Sequence, residues 1–198
     1  MQTDDVLEEF RGAGALLEGH FILSSGLHSS RYLQCALALS DPARAARLCA
    51  ALAQKVRDAL EQQPDIVVSP AMGGVVVGYE MARQLGVRAL FTEREDGAFR
   101  FRRGFALEQG QRVLMVEDVV TTGKSSRECI ETIKAAGGDV IAGCSLIDRS
   151  NGAADIGVPL ISLAALNVPT YDPENLPTEL KDLPAVKPGS RTLKSAAR

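Results

Sequence analysis

Near the middle of the chain lies the segment Val113-Leu114-Met115-Val116-Glu117-Asp118-Val119-Val120-Thr121-Thr122-Gly123-Lys124-Ser125-Ser126. Its apolar run predicts a buried strand, and the Thr-Thr-Gly turn after it predicts a helix that begins near residue 124. A strand that leads through a short turn into a helix is typical of an open α/β sheet, whose ligands bind at the carboxyl ends of the strands. We therefore expect the polar residues of this segment to form a binding site at that edge.

The same alternation of strand and helix continues on both sides of this segment. Further apolar runs predict strands at 65–69, 87–91, 139–146 and 159–163. Apolar residues at helical spacing predict helices at 41–62 and 75–85. Because the strand runs lack period-two alternation, we expect helices to cover both faces of the sheet. The pattern predicts an α/β fold with a mostly parallel central sheet flanked by helices.

Three parts of the chain depart from this alternation of strands and helices. Residues 4–17 have helical spacing, and the polar stretch that follows them indicates short strands and turns. Residues 92–111 form a long segment with little apolar content, in which residues 100–105 suggest a hairpin arm. Residues 183–198 contain prolines and basic residues and predict a loosely attached tail.

Length and composition indicate one structural domain. The chain has 198 residues, of which 45% are hydrophobic and 24% charged, as in ordinary globular proteins. Within that domain we expect an N-terminal helix and polar segment at 1–40, a core at 41–170 and a C-terminal extension at 171–198. The formal net charge of -3 disfavours a general nucleic-acid binder.

The expected cellular location follows from two signals that the sequence lacks. No apolar run reaches the roughly 20 residues that a membrane helix needs. The acidic start of the chain does not resemble a signal peptide. The four cysteines are scattered and predict reduced, mostly buried thiols. We therefore expect a cytoplasmic protein that has no membrane or nucleic-acid partner.

The turn after the apolar run predicts a phosphate site beside two carboxylates. Backbone N–H groups at a helix N-terminus bind anions, Gly123 permits close approach of the backbone, and the hydroxyls of the turn add donors. Because carboxylates repel phosphate, Glu117 and Asp118 must serve another part of the ligand, such as sugar hydroxyls or Mg²⁺. One ligand that combines a phosphate, a diol and a metal-bound pyrophosphate is phosphoribosyl pyrophosphate (PRPP).

Two other interpretations of this segment compete with a PRPP site. Gly123-Lys124-Ser125 resembles the end of a nucleotide-binding P-loop, but Asp118 stands where that motif requires its first glycine. The segment could also be a helix cap with solvated carboxylates. Two acids at the end of an apolar strand are costly, however, unless something satisfies them.

The segment resembles the PRPP-binding motif of the type I phosphoribosyltransferases. The resemblance implies that Glu117 and Asp118 bind the ribose hydroxyls and that residues 121–125 surround the 5′-phosphate. The turn Ser69-Pro70-Ala71-Met72-Gly73-Gly74 resembles the pyrophosphate loop of the same family. The PRPP-binding residues implied in this way are Glu117, Asp118, Val119, Val120, Thr121, Thr122, Gly123, Lys124, Ser125, Met72, Gly73 and Gly74.

Two further motifs resemble the orotate-specific branch of that family. One is Phe21-Ile22-Leu23-Ser24-Ser25-Gly26-Leu27-His28-Ser29-Ser30-Arg31-Tyr32-Leu33, which resembles the family's hood motif and implies a small N-terminal hood. The other is Leu146-Ile147-Asp148-Arg149. The family's Arg at this second position binds the orotate carboxylate, which a guanidinium matches with two hydrogen bonds. Alternatively, Asp148 and Arg149 form a surface ion pair. The implied orotate-binding residues are Ser25, Gly26, Thr121 and Arg149.

The resemblance implies an activity and a cofactor. The activity is transfer of the phosphoribosyl group of PRPP to orotate, which yields orotidine 5′-monophosphate and pyrophosphate in pyrimidine biosynthesis. Mg²⁺ is the implied cofactor, carried mainly by the pyrophosphate rather than by a dedicated protein site. Two alternatives stay open: an enzyme for another base, which would not need the hood motif or Arg149, and a regulator that binds PRPP as an effector.

The sequence departs from the common orotate-enzyme pattern where Ser24 and Gly73 replace lysines and where segment 92–111 has arginines but no Lys or His. Since Arg does not give up its proton, these arginines are expected to neutralise charge. The implied catalytic residues are Asp118 and the loop residues Arg94, Arg102 and Arg103. In the family this loop reaches the active site of the partner subunit, which implies a homodimer.

Overall fold

The computed structural model describes residues 1–23 and 26–187. Its strands are β1 (Leu16–Ile22), β2 (His28–Leu33), β3 (Ile66–Pro70), β4 (Arg88–Glu95), β5 (Ala98–Phe101), β6 (Arg112–Val120), β7 (Asp139–Asp148), β8 (Leu160–Ala165), β9 (Thr170–Tyr171) and β10 (Ala185–Val186). Its helices are α1 (Thr3–Gly12), α2 (Cys35–Leu39), α3 (Pro42–Ala59), α4 (Gly73–Leu85), α5 (Lys124–Ala135) and α6 (Thr178–Lys181). None of the described helices is long and apolar enough to span a membrane.

The central sheet has six strands in the order β5-β4-β3-β6-β7-β8. All neighbouring pairs are parallel except the β4–β5 edge pair. Alternate side chains of β3 belong to different cores, since Val67 packs with α3 and α4 while Ile66 and Val68 pack on the face covered by α5. The predicted α/β fold with a mostly parallel sheet covered on both faces is therefore confirmed.

The order of the strands identifies where a ligand can bind. From β3 the chain first adds β4 on one side and later β6 on the other, so that the direction of winding changes between β3 and β6. At such a switch point the loops after the two strands diverge and leave a crevice at the carboxyl ends. The turns at 71–74 and 121–123, both predicted to bind PRPP, follow these two strands.

A second sheet forms the hood and draws on both ends of the chain. Its order is β10-β1-β2-β9, so the N-terminal hairpin β1–β2 is flanked by two short strands from residues 170–186. The described part of the predicted tail, residues 183–187, is therefore not loosely attached, because β10 pairs in parallel with β1. Residues 188–198 lie outside the described part. The division into residues 1–40, 41–170 and 171–198 stays a prediction.

Two other predictions need correction. The first helix ends at Gly12 rather than Leu17, and β1 already begins at Leu16. The segment at 92–111 is not one long loop, because its first half completes β4 and forms β5 around a turn at Asp96-Gly97. Both turn residues have positive φ, 49° and 83°, as a two-residue hairpin turn requires.

Candidate active site

The turn after β3 lies against the acidic pair at the end of β6. A Cβ atom added to Gly73 would lie 2.9 Å from Oδ1 of Asp118, and one added to Gly74 would lie 3.1 Å from the carbonyl oxygen of Val116. Any side chain at Gly73, including the lysine common in the family, would therefore require Asp118 to shift. The peptide bond before this glycine pair, Ala71–Met72, is cis. The two predicted halves of the PRPP site thus meet at the switch point.

The two carboxylates of the pair face opposite sides of the sheet. Glu117 accepts a hydrogen bond from the hydroxyl of Ser126 in α5. Burial raises the pKa of Glu117 from 4.5 to about 7, and that hydrogen bond opposes the rise. Burial also raises the pKa of Asp118, against the effect of a 3.0 Å hydrogen bond from the backbone N–H of Val119. Both side chains are thus partly desolvated acids that a hydrogen-bond donor on a ligand would stabilise.

The turn after β6 exposes polar groups around a buried glycine. Gly123 adopts φ +72° directly before α5, and a Cβ there would lie 2.8 Å from Cγ2 of Ile156. Thr121, Thr122 and Lys124 are exposed. Their position at the N-terminus of a twelve-residue helix leaves backbone N–H groups directed at solvent, where an anion can bind.

A cleft of about 970 Å³ opens between this turn and the hood. Its floor includes Val119, Thr121 and Thr122, and its far wall is built from hood residues such as Tyr32. Three cationic side chains line the cleft among the described residues, and none of the lining side chains carries a carboxylate. These cations are Lys124, Arg149 and Lys187. In a chain with a net charge of -3, this local excess of positive charge favours an anionic ligand.

Arg149 enters the cleft directly after β7. Its backbone N–H donates to the carbonyl of Val120 at 2.8 Å, which ties it to the end of β6. Its side-chain Nε is buried and has no hydrogen-bond partner among the described residues. Burial lowers the pKa of Arg149. A buried donor without a partner is costly, so this guanidinium is suited to a carboxylate ligand.

Asp148 has a different task from Arg149. Its carboxylate accepts hydrogen bonds from the backbone N–H and hydroxyl of Ser150, at 2.8 and 2.6 Å, and from the N–H of Gly152 at 2.8 Å. Asp148 is only 2% exposed and forms no ion pair with Arg149 within residues 1–23 and 26–187. The alternative of a surface pair is therefore wrong for the described structure.

The arginines of the hairpin segment lie away from this cleft. Arg94 bonds to Glu128 of α5 at 2.6 Å, and Arg103 bonds to Glu93 with two hydrogen bonds of 2.8 and 2.9 Å. Arg102 lies 3.4 Å from a carboxylate oxygen of Glu95. Within one chain the structure therefore does not bring Arg94, Arg102 or Arg103 to the other predicted site residues.

The remaining predicted residues divide into three groups. Lining the cleft are Val119, Thr121, Thr122, Lys124 and Arg149. Beside it lie the acidic pair and the glycines of the two turns, while Val120 is buried and Ser125 half-buried in the same turn region. Met72 is 83% exposed, Gly26 lies in the hood turn, and Ser25 falls outside the described residues.

Sequence reasoning missed several contributors to the site. Lys187, Val168 and Thr170 line the cleft from the C-terminal part of the chain. The sequence gives no local signal for them, because only the pairing of two-residue strands with the hood brings them there. Ser126, which bonds to Glu117, was recognisable as a hydroxyl one helical turn into α5.

The comparisons with known proteins agree with this geometry. The family profile for the phosphoribosyl transferase domain matches residues 37–159. Orotate phosphoribosyltransferase of Rhizorhabdus wittichii is 64% identical over 196 residues, covering 99% of this chain and 100% of that protein. The chain belongs to the orotate phosphoribosyltransferase family. The match spans the hood and C-terminal strands as well as the core, so the relationship extends over the whole described structure.

Solved structures place this chain in the fold of the wider family. Orotate phosphoribosyltransferase from Aeropyrum pernix superimposes with a TM-score of 0.67 at 28% identity, covering 81% of this chain and 93% of that one. Adenine phosphoribosyltransferase from Thermoanaerobacter pseudethanolicus shares the fold at a TM-score of 0.58 and 19% identity, covering 69% and 88%. Because both superimpose, the fold by itself does not distinguish the base.

No cluster of three His, Cys, Asp or Glu side chains that could hold a metal ion occurs in the described part of the chain. The adjacent carboxylates of Glu117 and Asp118 face opposite sides of the sheet. A cation at this site would therefore need further ligands from a bound substrate or from water.

Proposed function

We propose that this protein transfers the phosphoribosyl group of PRPP to orotate, forming orotidine 5′-monophosphate and pyrophosphate in pyrimidine biosynthesis. One observation carries the proposal: an anion-binding turn, two desolvated carboxylates and an unpartnered buried arginine meet around one cationic cleft. The 64% identical relative is an orotate phosphoribosyltransferase, which favours orotate over another base.

Positioning and charge are the main contributions of the protein to this reaction. Pyrophosphate leaves C1 of the ribose while the ring nitrogen of the orotate anion attacks, through an oxocarbenium-like transition state. Because the orotate anion is already nucleophilic, no strong base is required. The turn at 121–125 holds the 5′-phosphate, and Glu117 and Asp118 accept hydrogen bonds from the ribose hydroxyls, so that C1 is fixed relative to the base. The turn at 71–74 lies beside Asp118, where the pyrophosphate departs.

Arg149 is the proposed partner of the orotate carboxylate. Its Nε lacks a partner and lies in a partly desolvated wall of the cleft. A carboxylate would supply acceptors for this donor and for the terminal N–H groups, in a geometry that fits two parallel hydrogen bonds. A purine lacks that carboxylate and would leave the arginine unsatisfied, so Arg149 also favours orotate over purines.

Mg²⁺ is the proposed cofactor and would arrive with the pyrophosphate group of PRPP. When bound, it would neutralise charge that develops on the leaving pyrophosphate. This assignment is supported by the preference of magnesium for phosphate oxygens and water over all-protein cages. The exposed backbone of Met72 and Gly73 is available beside that group.

The proposed assembly is a homodimer. Met72, which caps α4, and Val76 and Tyr79 on α4 are 83%, 51% and 67% exposed and follow one another at helical spacing. Such a row of exposed large apolar side chains is typical of a protein interface, and a second copy of the chain is the proposed occupant. The row begins in the turn at 71–74, so a partner seated on it could bring its arginine hairpin, defined as residues 92–111, to this active site.

The cytoplasm is the proposed place of action. All four cysteines are free and buried. Unpaired thiols are usual in reducing compartments.

One assay tests the proposed activity directly. Purified protein is mixed with orotate, PRPP and Mg²⁺, and consumption of orotate is followed by its ultraviolet absorbance. We expect turnover that depends on PRPP and on the divalent ion, with no turnover when adenine or hypoxanthine replaces orotate. Turnover of a purine in place of orotate would establish the other-base alternative. PRPP binding without transfer to any base would establish the regulator.

A further inference from the structure

The C-terminal segment contributes a cationic side chain to the cleft. Lys187 lines the cleft and directly follows β10, in which Val186 pairs with Phe21 of β1. The next residues of two parallel strands remain adjacent, so Lys187 lies beside Ile22, which also lines the cleft. A residue 165 positions from Ile22 in the sequence (187 − 22) thus shares the hood wall with the N-terminal hairpin.

Two contacts hold this segment in place just before Lys187. Leu180 of α6 is buried, with 2% exposure. His20, also buried, hydrogen-bonds through Nδ1 to the carbonyl of Leu183 at 3.0 Å. Since a carbonyl oxygen only accepts, Nδ1 carries the proton. The Nε2 atom of the same ring is hydrogen-bonded to Nδ1 of His28. The two histidines of the chain thus link the segment to the hood by hydrogen bonds.

Lys187 and Arg149 belong to different ends of the hood. Ile22, beside Lys187, pairs with His28 near the tip of the β1–β2 hairpin. Tyr32 is close enough to Arg149 to act on its pKa, and it pairs with Leu17 at the other end of that hairpin. We therefore expect Lys187 to meet an anion other than the carboxylate proposed for Arg149. The other anionic groups of the proposed substrates are phosphates.

We propose that Lys187 binds a phosphate group of PRPP and is a substrate-binding residue supplied by the C-terminal segment. The inference rests on the proposed function. The 5′-phosphate and the pyrophosphate offer the same chemistry to an ammonium group, namely anionic oxygens that accept charge-assisted hydrogen bonds. The hood tip would then close over the phosphates through this lysine, while Arg149 orients the base from the opposite end.

The main test compares Lys187→Gln with the wild type in the orotate assay and in calorimetric titration with PRPP. We expect PRPP affinity to fall about tenfold or more, as for loss of a hydrogen bond to a charged group. The KM for orotate should stay unchanged, and Lys187→Arg should restore most of the PRPP affinity. The matched control is Lys181→Gln, which removes the same charge from exposed α6 in the same segment, outside the cleft.

The reverse reaction distinguishes the two phosphate sources. If Lys187 binds the 5′-phosphate, Lys187→Gln lowers the affinity for orotidine 5′-monophosphate and leaves the affinity for pyrophosphate unchanged. If Lys187 binds the pyrophosphate, the affinity for pyrophosphate falls instead. The inference is overturned if Lys187→Gln behaves like Lys181→Gln, or if it weakens orotate rather than PRPP. Should the wild type bind PRPP but transfer it to no base, the proposed function fails, and the calorimetric comparison still decides the role of Lys187.

Discussion

At the scale of single residues, Arg149 offers the sharpest test of base recognition. Its buried Nε has no partner within the described structure, so the orotate carboxylate would satisfy it. We expect Arg149→Ala to raise the KM for orotate about ten- to a hundredfold, the cost of losing a charge-assisted hydrogen bond, while PRPP affinity changes little. The KM of Arg149→Lys for orotate should lie between those of the wild type and Arg149→Ala, because an ammonium keeps the charge but lacks the planar guanidinium. Steady-state kinetics with each substrate varied in turn would measure this, and equal losses for both substrates would refute the role.

Glu117 links the site to the pH dependence of stability. Its pKa in the folded protein is raised from 4.5 to about 7, chiefly by burial. Between these values the folded state binds more protons than the unfolded state, so the free energy of unfolding falls as pH rises through this window. Glu117→Gln removes this effect but keeps an acceptor for Ser126. We expect the variant to be more stable than the wild type above pH 7, by up to about 3 kcal/mol, and equally stable below pH 4.5.

Chemical denaturation across this pH range would check the Glu117 prediction. The matched control is Glu131→Gln, which changes an exposed glutamate on α5 and should leave the pH profile parallel to that of the wild type. A stability difference for Glu117→Gln that does not vary with pH would contradict the assignment. The same variant should bind PRPP less tightly, because an amide accepts the ribose hydroxyl hydrogen bonds less strongly than a carboxylate does.

At the scale of elements, the turn between β6 and α5 depends on one glycine. Gly123 combines φ +72° with a close approach, since a Cβ would lie 2.8 Å from Cγ2 of Ile156. Gly157 has a similar φ of +79° but nothing within 4 Å of its Cβ position. Gly157→Ala should therefore lose about 1–2 kcal/mol of stability from backbone strain alone. Gly123→Ala should lose more and should also weaken PRPP binding.

Thermal unfolding and PRPP titration of both alanine variants would separate the two effects at Gly123. The comparison with Gly157 removes the backbone contribution that the two sites share. Equal stability losses, together with unchanged PRPP affinity for Gly123→Ala, would show that the packing against Ile156 is unimportant for the turn.

The sequence predicted the elements whose signals are local. The strands β3, β7 and β8 and the first half of β6 are apolar runs, and the turn at 121–123 carries its own glycine and hydroxyls. The core and the candidate phosphate site could therefore be predicted from residue order. The predicted N-terminal helix is too long because Ala13 and Leu17 continue the apolar spacing, whereas Gly14 turns the chain with φ +63°. A hairpin was predicted at 100–105, but it is formed by β4 and β5 around Asp96-Gly97, a local turn signal.

Other features depend on contacts between distant parts of the chain. The strands β9 and β10 have two residues each, too few for any periodicity, and they form only because the hood offers unpaired edges. The approach of Gly73 to Asp118 likewise depends on how two loops meet at the switch point. No reading of either loop alone could have given that distance.

At the scale of the whole molecule, the exposed apolar row on α4 predicts self-association. Val76 lies at the centre of the row and is 51% exposed. We expect the wild type to sediment as a dimer and Val76→Asp to dissociate it, because a buried unpaired charge at an interface is strongly unfavourable. The control is Glu131→Gln, which lies on the other face of the sheet and should leave the dimer intact. Glu80→Gln is less suitable because Glu80 pairs with Arg83. A monomeric wild type would contradict the proposal.

Sharing of active sites between subunits is the more demanding prediction. Arg102 and Arg103 are not among the described residues that line the cleft of their own chain, and they are paired with half-buried glutamates on β4. Ion pairs at the protein surface contribute little to stability, so Arg102→Ala with Arg103→Ala should inactivate the enzyme without unfolding it. A second inactive protein carries Glu117→Gln with Asp118→Asn.

The two inactive proteins are then mixed and allowed to exchange subunits. If the arginine hairpin acts in the partner, a mixed dimer has one site with both lesions and one intact site. With random exchange, half of the dimers are mixed and half of their sites are intact, so about a quarter of the wild-type activity should return. If the hairpin acts within its own chain, every site keeps one lesion and mixing restores nothing. Differently tagged chains would verify that subunits exchange. If they exchange and no activity returns, the shared site is ruled out.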